Sequence, residues 1–307
     1  MNCDIIVDGV LVKVRDYLWI VKGCYHPRNH VIAFPRYGLD NTKIKEFGES
    51  YRIAREYGFI LFDENLDMSI PAIPLNLVEY CLNPFNNDPR HLGALGEKAW
   101  RLKQLIAEYG GIDLEYIGVT GSLLAKKVLP GLEVGDIDII VRGREESIKA
   151  YRALKKLRAN GIVSSINSPV YRELEIQDPR TRLELMRKRV LEGLFDKTPY
   201  SIRLIPCLKQ TEKTSRIKRL GWWTGTIEIV EPIQSYIMPY QYKIKVIGEN
   251  SSQKPRVLIS YRMRFSELPR GLILWVKGIL EYHVDEGVLK LCPDHPGSKA
   301  RIQETTT

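Results

Sequence analysis

Apolar and polar positions alternate with a period of two along the first sixty residues. Val10 to Val14, Tyr17 to Val21 and Val31 to Phe34 are short β-branched or aromatic runs, and Cys24-Tyr25-His26-Pro27-Arg28-Asn29-His30 between the last two has turn chemistry. Such runs predict strands. Residues 42–58 shift to helical spacing and stop at Gly58. Helices are expected from about 73 to 110, the clearest placing Leu92, Leu95, Ala99, Leu102 and Ile106 on one face before Gly110-Gly111 ends it. A strand (Leu114 to Thr120), a Gly-Ser turn with a short helix and a second strand (Asp136 to Val141) follow. Next come a helix with Ile148, Tyr151, Leu154 and Leu157 inward, a helix from the cap and proline pair Asp178-Pro179 to Gly193, and the strand Tyr200 to Cys207. Beyond the basic stretch Lys209 to Arg219, five strand-like runs return: Thr224 to Val230, Tyr242 to Ile247, Arg256 to Arg262, Leu272 to Tyr282 and Val288 to Leu291. Five strands in this length fit a small, OB-like barrel.

This order predicts an α+β chain of three parts. Residues 1–64 form a small β-rich domain, 65–210 a central domain with a mixed sheet and helices, and 211–307 a β-rich C-terminal domain. The chain has 307 residues, enough for each part to bury a core. No apolar run reaches the roughly 18 residues of a membrane helix. The start, MNCDIIVDGVLVKVRDYLW, lacks the basic and apolar blocks of a signal peptide. The expectation is a cytoplasmic protein with no membrane partner. Cys3, Cys24, Cys81, Cys207 and Cys292 are odd in number and scattered without a C-x-x-C pair. That spacing predicts reduced thiols and argues against a disulfide framework or a structural zinc site.

The chemistry concentrates in Tyr116-Ile-Gly-Val-Thr-Gly-Ser-Leu-Leu-Ala-Lys-Lys and Gly135-Asp-Ile-Asp-Ile-Ile-Val-Arg142. Alternation along a strand turns Asp136 and Asp138 to one face and Ile137, Ile139 and Val141 to the other. Two carboxylates roughly 7 Å apart on one strand face can chelate a hard cation, Mg²⁺ or Mn²⁺, which also bridges to substrate phosphates. Gly121 and Ser122, between a strand and a helix start, suit close phosphate approach. Lys126 and Lys127, one turn on, are candidates to neutralise the outer phosphates of a nucleoside triphosphate.

These residues resemble the signature of the polymerase-β-like nucleotidyltransferase superfamily, an apolar-Gly-Ser turn, roughly ten residues, then Asp-apolar-Asp-apolar. Here thirteen residues separate Ser122 from Asp136. The resemblance implies a polymerase-β-type central domain that transfers a nucleotide from an NTP to an acceptor. The superfamily takes a third carboxylate from a neighbouring strand. In archaeal CCA-adding enzymes, which this region is similar to, that strand ends Asp-Val-Val-Pro-Cys. Here Ser201-Ile-Arg-Leu-Ile-Pro-Cys207 has Arg203 in the acid's place, and Arg neither ligates metal nor acts as a base. Glu228 and Glu231 are the candidates to replace it. The flanks, Gly23-Cys-Tyr-His-Pro with Val31 to Tyr37 and Val230-Glu231 through Tyr242, resemble archaeal proteins described as predicted nucleotidyltransferases.

A net charge of +9 favours polyanionic partners. RNA, tRNA-like or ribosomal, is the expected acceptor. Arg182, Arg187, Lys188, Arg203, Lys213, Arg216, Lys218 and Arg219 are the candidate contacts, with Arg180 and Arg189 in the same basic helix. His26 and His30 beside Arg28 are weaker candidates for a phosphate or base, and Trp222, Trp223, Tyr236, Tyr240 and Tyr242 for base stacking. The rival reading is a catalytically degenerate transferase fold used to bind RNA or the ribosome, supported mainly by Arg203.

Overall fold

The computed structural model describes residues 3–166, 179–248 and 254–303. They form two compact units, one of Met1–Glu64, Met68–Ser164 and Leu194–Thr214, the other of Asn65–Asp67, Ser165–Gly193 and Ser215–Thr307. The described chain is mixed α+β with three sheets and few helices. No described helix is long and apolar enough to cross a membrane.

The first unit opens with β1 (Leu11–Val14), β2 (Tyr17–Val21), β3 (His30–Gly38), α1 (Phe47–Glu56), β4 (Ile60–Asp63), β5 (Met68–Pro74) and β6 (Tyr80–Leu82). Their sheet has the order β4-β5-β3-β2-β1-β6. The second half supplies α2 (Ala94–Gly110), β7 (Ile117–Val119), α3 (Gly121–Ala125), β8 (Ile137–Arg142), α4 (Arg144–Ala159), β9 (Val163–Ser164), β10 (Glu192–Phe195) and β11 (Thr198–Ile205), with sheet order β7-β8-β11-β10-β9. Helix α2 ends at Gly111, whose left-handed backbone (φ 60°) lets its N–H reach back to Ala107 and Glu108.

A domain boundary near residue 64 is not what the structure has. The β4–β5 hairpin runs across it, with Asp63 opposite Met68. Leu11, Leu18 and Tyr37 of the N-terminal sheet share one buried cluster with Leu124, Ala125, Leu129 and Leu132, on and just after α3. Each such leucine contributes roughly 1.5–3 kcal/mol by leaving water. The expected helices over 73–93 are also replaced, by β6 paired to β1 and by short 3₁₀ turns. Pro71, Pro74, Pro84 and Pro89 remove the backbone donors that a helix there requires.

The cysteines depart from expectation too. Cys3 is bonded to Cys81 and Cys24 to Cys207, across sequence separations of 78 and 183 residues. The fold alone brings their Cα atoms to 5.6 and 6.2 Å, within bridging range. The expectation of reduced thiols and no disulfides is corrected for these four cysteines. Disulfides are at home in oxidising compartments and also inside hyperthermophiles.

His26 is not a surface ligand but a core residue, 4% exposed. Its Nδ1 accepts the Ile32 N–H, so Nε2 carries the proton and donates to the Ile6 carbonyl at 3.0 Å. Burial pulls its pKa down to about 4. The unfolded chain takes up a proton below about pH 6.5, whereas the folded ring stays neutral until about pH 4. Stability therefore falls as pH drops through that window, by about 3 kcal/mol in all. Melting curves between pH 7 and 4 should show a flatter decline for His26→Asn than for the native chain. Parallel declines would rule this out.

The second unit holds α5 (Pro179–Lys188) and the strands β12 (Ile217–Gln234), β13 (Tyr240–Ile247), β14 (Val257–Ser260), β15 (Ile273–His283), β16 (Val288–Cys292) and β17 (Lys299–Ile302). Asp178, the expected cap of α5, lies outside the described residues. The strands pair β12-β13-β14-β16-β15, and β15 pairs back to β12, so five strands close on themselves. All these neighbours are antiparallel except β14 with β16. The expected linker through Arg219 is shorter than read, because β12 already begins at Ile217.

Candidate functional site

β7 and β8 run antiparallel, with Val119 opposite Ile139. Thr120 follows, and its N–H donates to the Asp138 carbonyl at 2.9 Å. This pins the Gly-Ser turn to the middle of the aspartate strand. Ile137, Ile139 and Val141 are buried while Asp136 and Asp138 are half-buried, so the period-two alternation holds. Gly121 has φ +65°, and a Cβ built there would sit 2.1 Å from Asp138 Oδ2. The carboxylate occupies the space that a side chain at 121 would fill. Ser201 of β11, directly opposite Asp138 in the parallel β8–β11 pair, donates its hydroxyl to Asp138 Oδ1 at 2.6 Å. Tyr37 is close enough to feel both acids. Burial pushes its phenol up, and Asp138 and Asp136 push the same way.

The turn itself is tied to the N-terminal segment, since the Thr120 hydroxyl donates to the Gly9 carbonyl. The neighbouring Asp8 explains the arginine in the acid's place. Arg203 Nη1 pairs with Asp8 Oδ1 at 2.8 Å, and the Gly23 N–H donates to Asp8 Oδ2 at 2.9 Å. Burial raises the Asp8 carboxyl, but Arg203, Lys22 and the Gly23 N–H outweigh it and hold it below the usual range. Arg203 thus neutralises a 2%-exposed carboxylate. The Arg203 side chain itself remains 35% exposed.

Two carboxylates with the Ser201 hydroxyl on Asp138 are a donor set of the kind a hard cation takes. Asp136 stands immediately before β8 and Asp138 within it, and β11 sets Ser201 and Arg203, not an acid, opposite Asp138 and Ile140. Glu228 and Glu231 do not fill the gap as strand neighbours. They belong to β12 of the second unit, opposite Lys245 and Lys243. The expected anion pocket also changes. α3 is only five residues long and Ser122 is buried, so little helix field remains. Lys126 caps the far end of α3 and Lys127 is exposed beyond it. Two hollows of about 310 and 540 Å³, lined in part by Trp100 and Lys103 and by His30 and Leu75, include neither aspartate.

The basic candidates divide. Arg182 pairs with Glu192 at 2.9 Å, Arg216 approaches Asp285 at 3.9 Å and Arg219 approaches Glu281 at 3.6 Å. Arg187, Lys188, Lys213 and Lys218 are exposed. Of the aromatics, Trp223, Tyr240 and Tyr242 are core, whereas Trp222 is 52% exposed beneath Lys277. Trp275 stacks with Arg301 on the strands beside it. Tyr37, Ser201 and Asp8 had no sequence signal beyond their neighbours, because each reaches the site only through tertiary pairing.

The chain is similar to the uncharacterized protein MJ1086 of Methanocaldococcus jannaschii, with 24% identity over 320 aligned positions covering 90% of this chain and 92% of that protein. No protein-family model matches the chain. No solved structure matches it significantly.

Proposed function

We propose that this protein is a metal-dependent nucleotidyltransferase that transfers a nucleoside monophosphate from an NTP to an RNA hydroxyl, on a central polymerase-β-type core. The observation that carries the reading is the Asp138 carboxylate seated against Gly121 of the Gly-Ser turn, with Asp136 two residues before it and both acids acting on Tyr37. Asp136 and Asp138 would hold Mg²⁺ or Mn²⁺, which when bound neutralises phosphate charge. Ser201 fixes the Asp138 rotamer, and the side-chain-free Gly121 lets that carboxylate sit directly against the turn. The acceptor oxygen forms a bond to the α-phosphorus as the bond to pyrophosphate breaks, and the hydroxyl proton passes to water. Binding and alignment are what these residues supply, a contribution of many orders of magnitude in phosphoryl transfer.

Incubation with α-labelled NTPs, Mg²⁺ and a panel of RNAs should give labelled RNA. Asp136→Ala should lower the rate at least about 100-fold. Transfer that survives in an Asp136→Ala, Asp138→Ala double variant would refute the assignment.

A second reading has its own support. Arg203 stands where an acid is required, and the closed five-stranded barrel, whose order resembles an OB-like barrel, carries Trp222 and Trp275 with Lys277 and Arg301 outside. Such aromatic and basic surfaces bind single strands. On this reading RNA binding weakens with salt, is unmoved by EDTA, and survives loss of both aspartates.

A further inference from the structure

The second unit contains a cluster unrelated to the aspartates. Glu281 and His283 lie on β15, Cys292 ends the adjacent β16, and the turn Pro293-Asp294 leads to His295. One ligand atom from each of Glu281, Cys292 and His295 lies within 4.8 Å of the others. His295 Nε2 is 3.4 Å from Glu281 Oε1, and His283 Nε2 is 3.4 Å from Glu281 Oε2. Ligands at zinc-bond lengths of about 2.0–2.3 Å from a tetrahedral centre stand about 3.3–3.8 Å apart, and the Glu281–His295 contact falls in that range, while His283 holds the other carboxylate oxygen. Glu281 and Cys292 are each 3% exposed. The turn is held in place because Asp294 accepts the Ser260 hydroxyl at 2.7 Å and the Tyr261 N–H at 2.6 Å.

We propose that Glu281, Cys292 and His295 form a three-ligand, zinc-type metal site in the second unit, its fourth position left to water or a ligand. Thiolate and imidazole select a borderline or soft cation over Mg²⁺, so this site and the aspartate pair take different metals. Half-buried His295 leaves the approach from solvent. The neutral thiol is favoured by burial, and entry of the cation releases that proton to water as the sulfur–metal bond forms. Arg219, 3.6 Å from Glu281 Oε1, would orient the carboxylate from outside the ligand set. The expectation of no zinc site rests on the missing C-x-x-C pair and on an absent Cys-His spacing, but Cys292-Pro-Asp-His295 is such a spacing, and Glu281 joins it from the neighbouring strand.

The test titrates metal-free, full-length protein with Co²⁺ in the absence of reductant. Cys292 is the chain's unbridged cysteine, so a thiolate-to-cobalt charge-transfer band reports this site alone and a cation at Asp136 and Asp138 contributes none. One equivalent of Co²⁺ should produce the band together with the visible bands of a tetrahedral centre, and Zn²⁺ should displace it. Cys292→Ala should abolish the band, and His295→Ala should weaken Zn²⁺ binding at least tenfold. Absence of the band from folded native protein overturns the proposal, as does a band unchanged in His295→Ala. The native titration decides even if a variant fails to fold.

Discussion

Gly121→Ala should lower nucleotide transfer at least about 100-fold and destabilise the first unit by a few kcal/mol, while Gly111→Ala leaves transfer unchanged. Both glycines have positive φ, 65° and 60°, so both substitutions carry the roughly 1–2 kcal/mol penalty of a left-handed L-residue. They differ in what the new Cβ meets. At 111 nothing lies within 4 Å. At 121 it meets Asp138 Oδ2 at 2.1 Å, Cγ at 2.9 Å and Cβ at 3.0 Å. Rotation of the carboxylate cannot clear a contact that extends to Asp138 Cβ, so either the strand or the turn must shift. The Ser201 hydrogen bond is lost in either case. Transfer rates and thermal melts of the two variants make the comparison. Equal behaviour would show that the turn and Asp138 do not form a unit.

The second large effect belongs to the other unit. Arg189→Leu should cost about 3–5 kcal/mol in urea unfolding. Arg189 is wholly buried, and its guanidinium donates to Glu192 at 3.0 Å, to the Ser266 carbonyl at 3.1 Å and to the Arg264 carbonyl. Burial alone would raise the Glu192 carboxyl, but Arg182 and Arg189 overcome it and keep it below its usual value. That interaction stabilises the fold above the ordinary glutamate pKa and is lost as pH falls through the lowered folded value. The variant should therefore also respond less to acid. A loss under about 1 kcal/mol would mean that solvent reaches the cluster. Charge alone makes Arg189 a nucleic-acid candidate, and its buried partners Glu192 and Ser266 remove it from that group.

Local signals account for what was legible. Alternation placed Ile137, Ile139 and Val141 inside and the two aspartates on the opposite face, because strand geometry leaves no other choice once the apolar residues are buried. Helix α2 buries Ala99, Leu102 and Ile106 and stops at Gly111 as its spacing requires. α4 is turned by about one residue from the expected face, burying Ser147 and Ala150 instead of Ile148 and Tyr151. Ser147 faces the sheet, where its hydroxyl donates to the Ile205 carbonyl at 3.1 Å, a polar contact that hydrophobic spacing does not register.

By itself, then, the chain's pattern determined the strand that bears Asp138 with Asp136 at its start, the glycine turn before it, and most strands of the closed barrel. Tertiary structure alone decided that Arg203 answers to Asp8, 195 residues away. It also decided that four cysteines pair, that His26 is core, and that Glu281 meets Cys292 and His295. The physical reason is range. A strand or turn is set by forces among residues a few positions apart, whereas a buried charge or thiol takes its character from whichever distant group the packed chain sets against it.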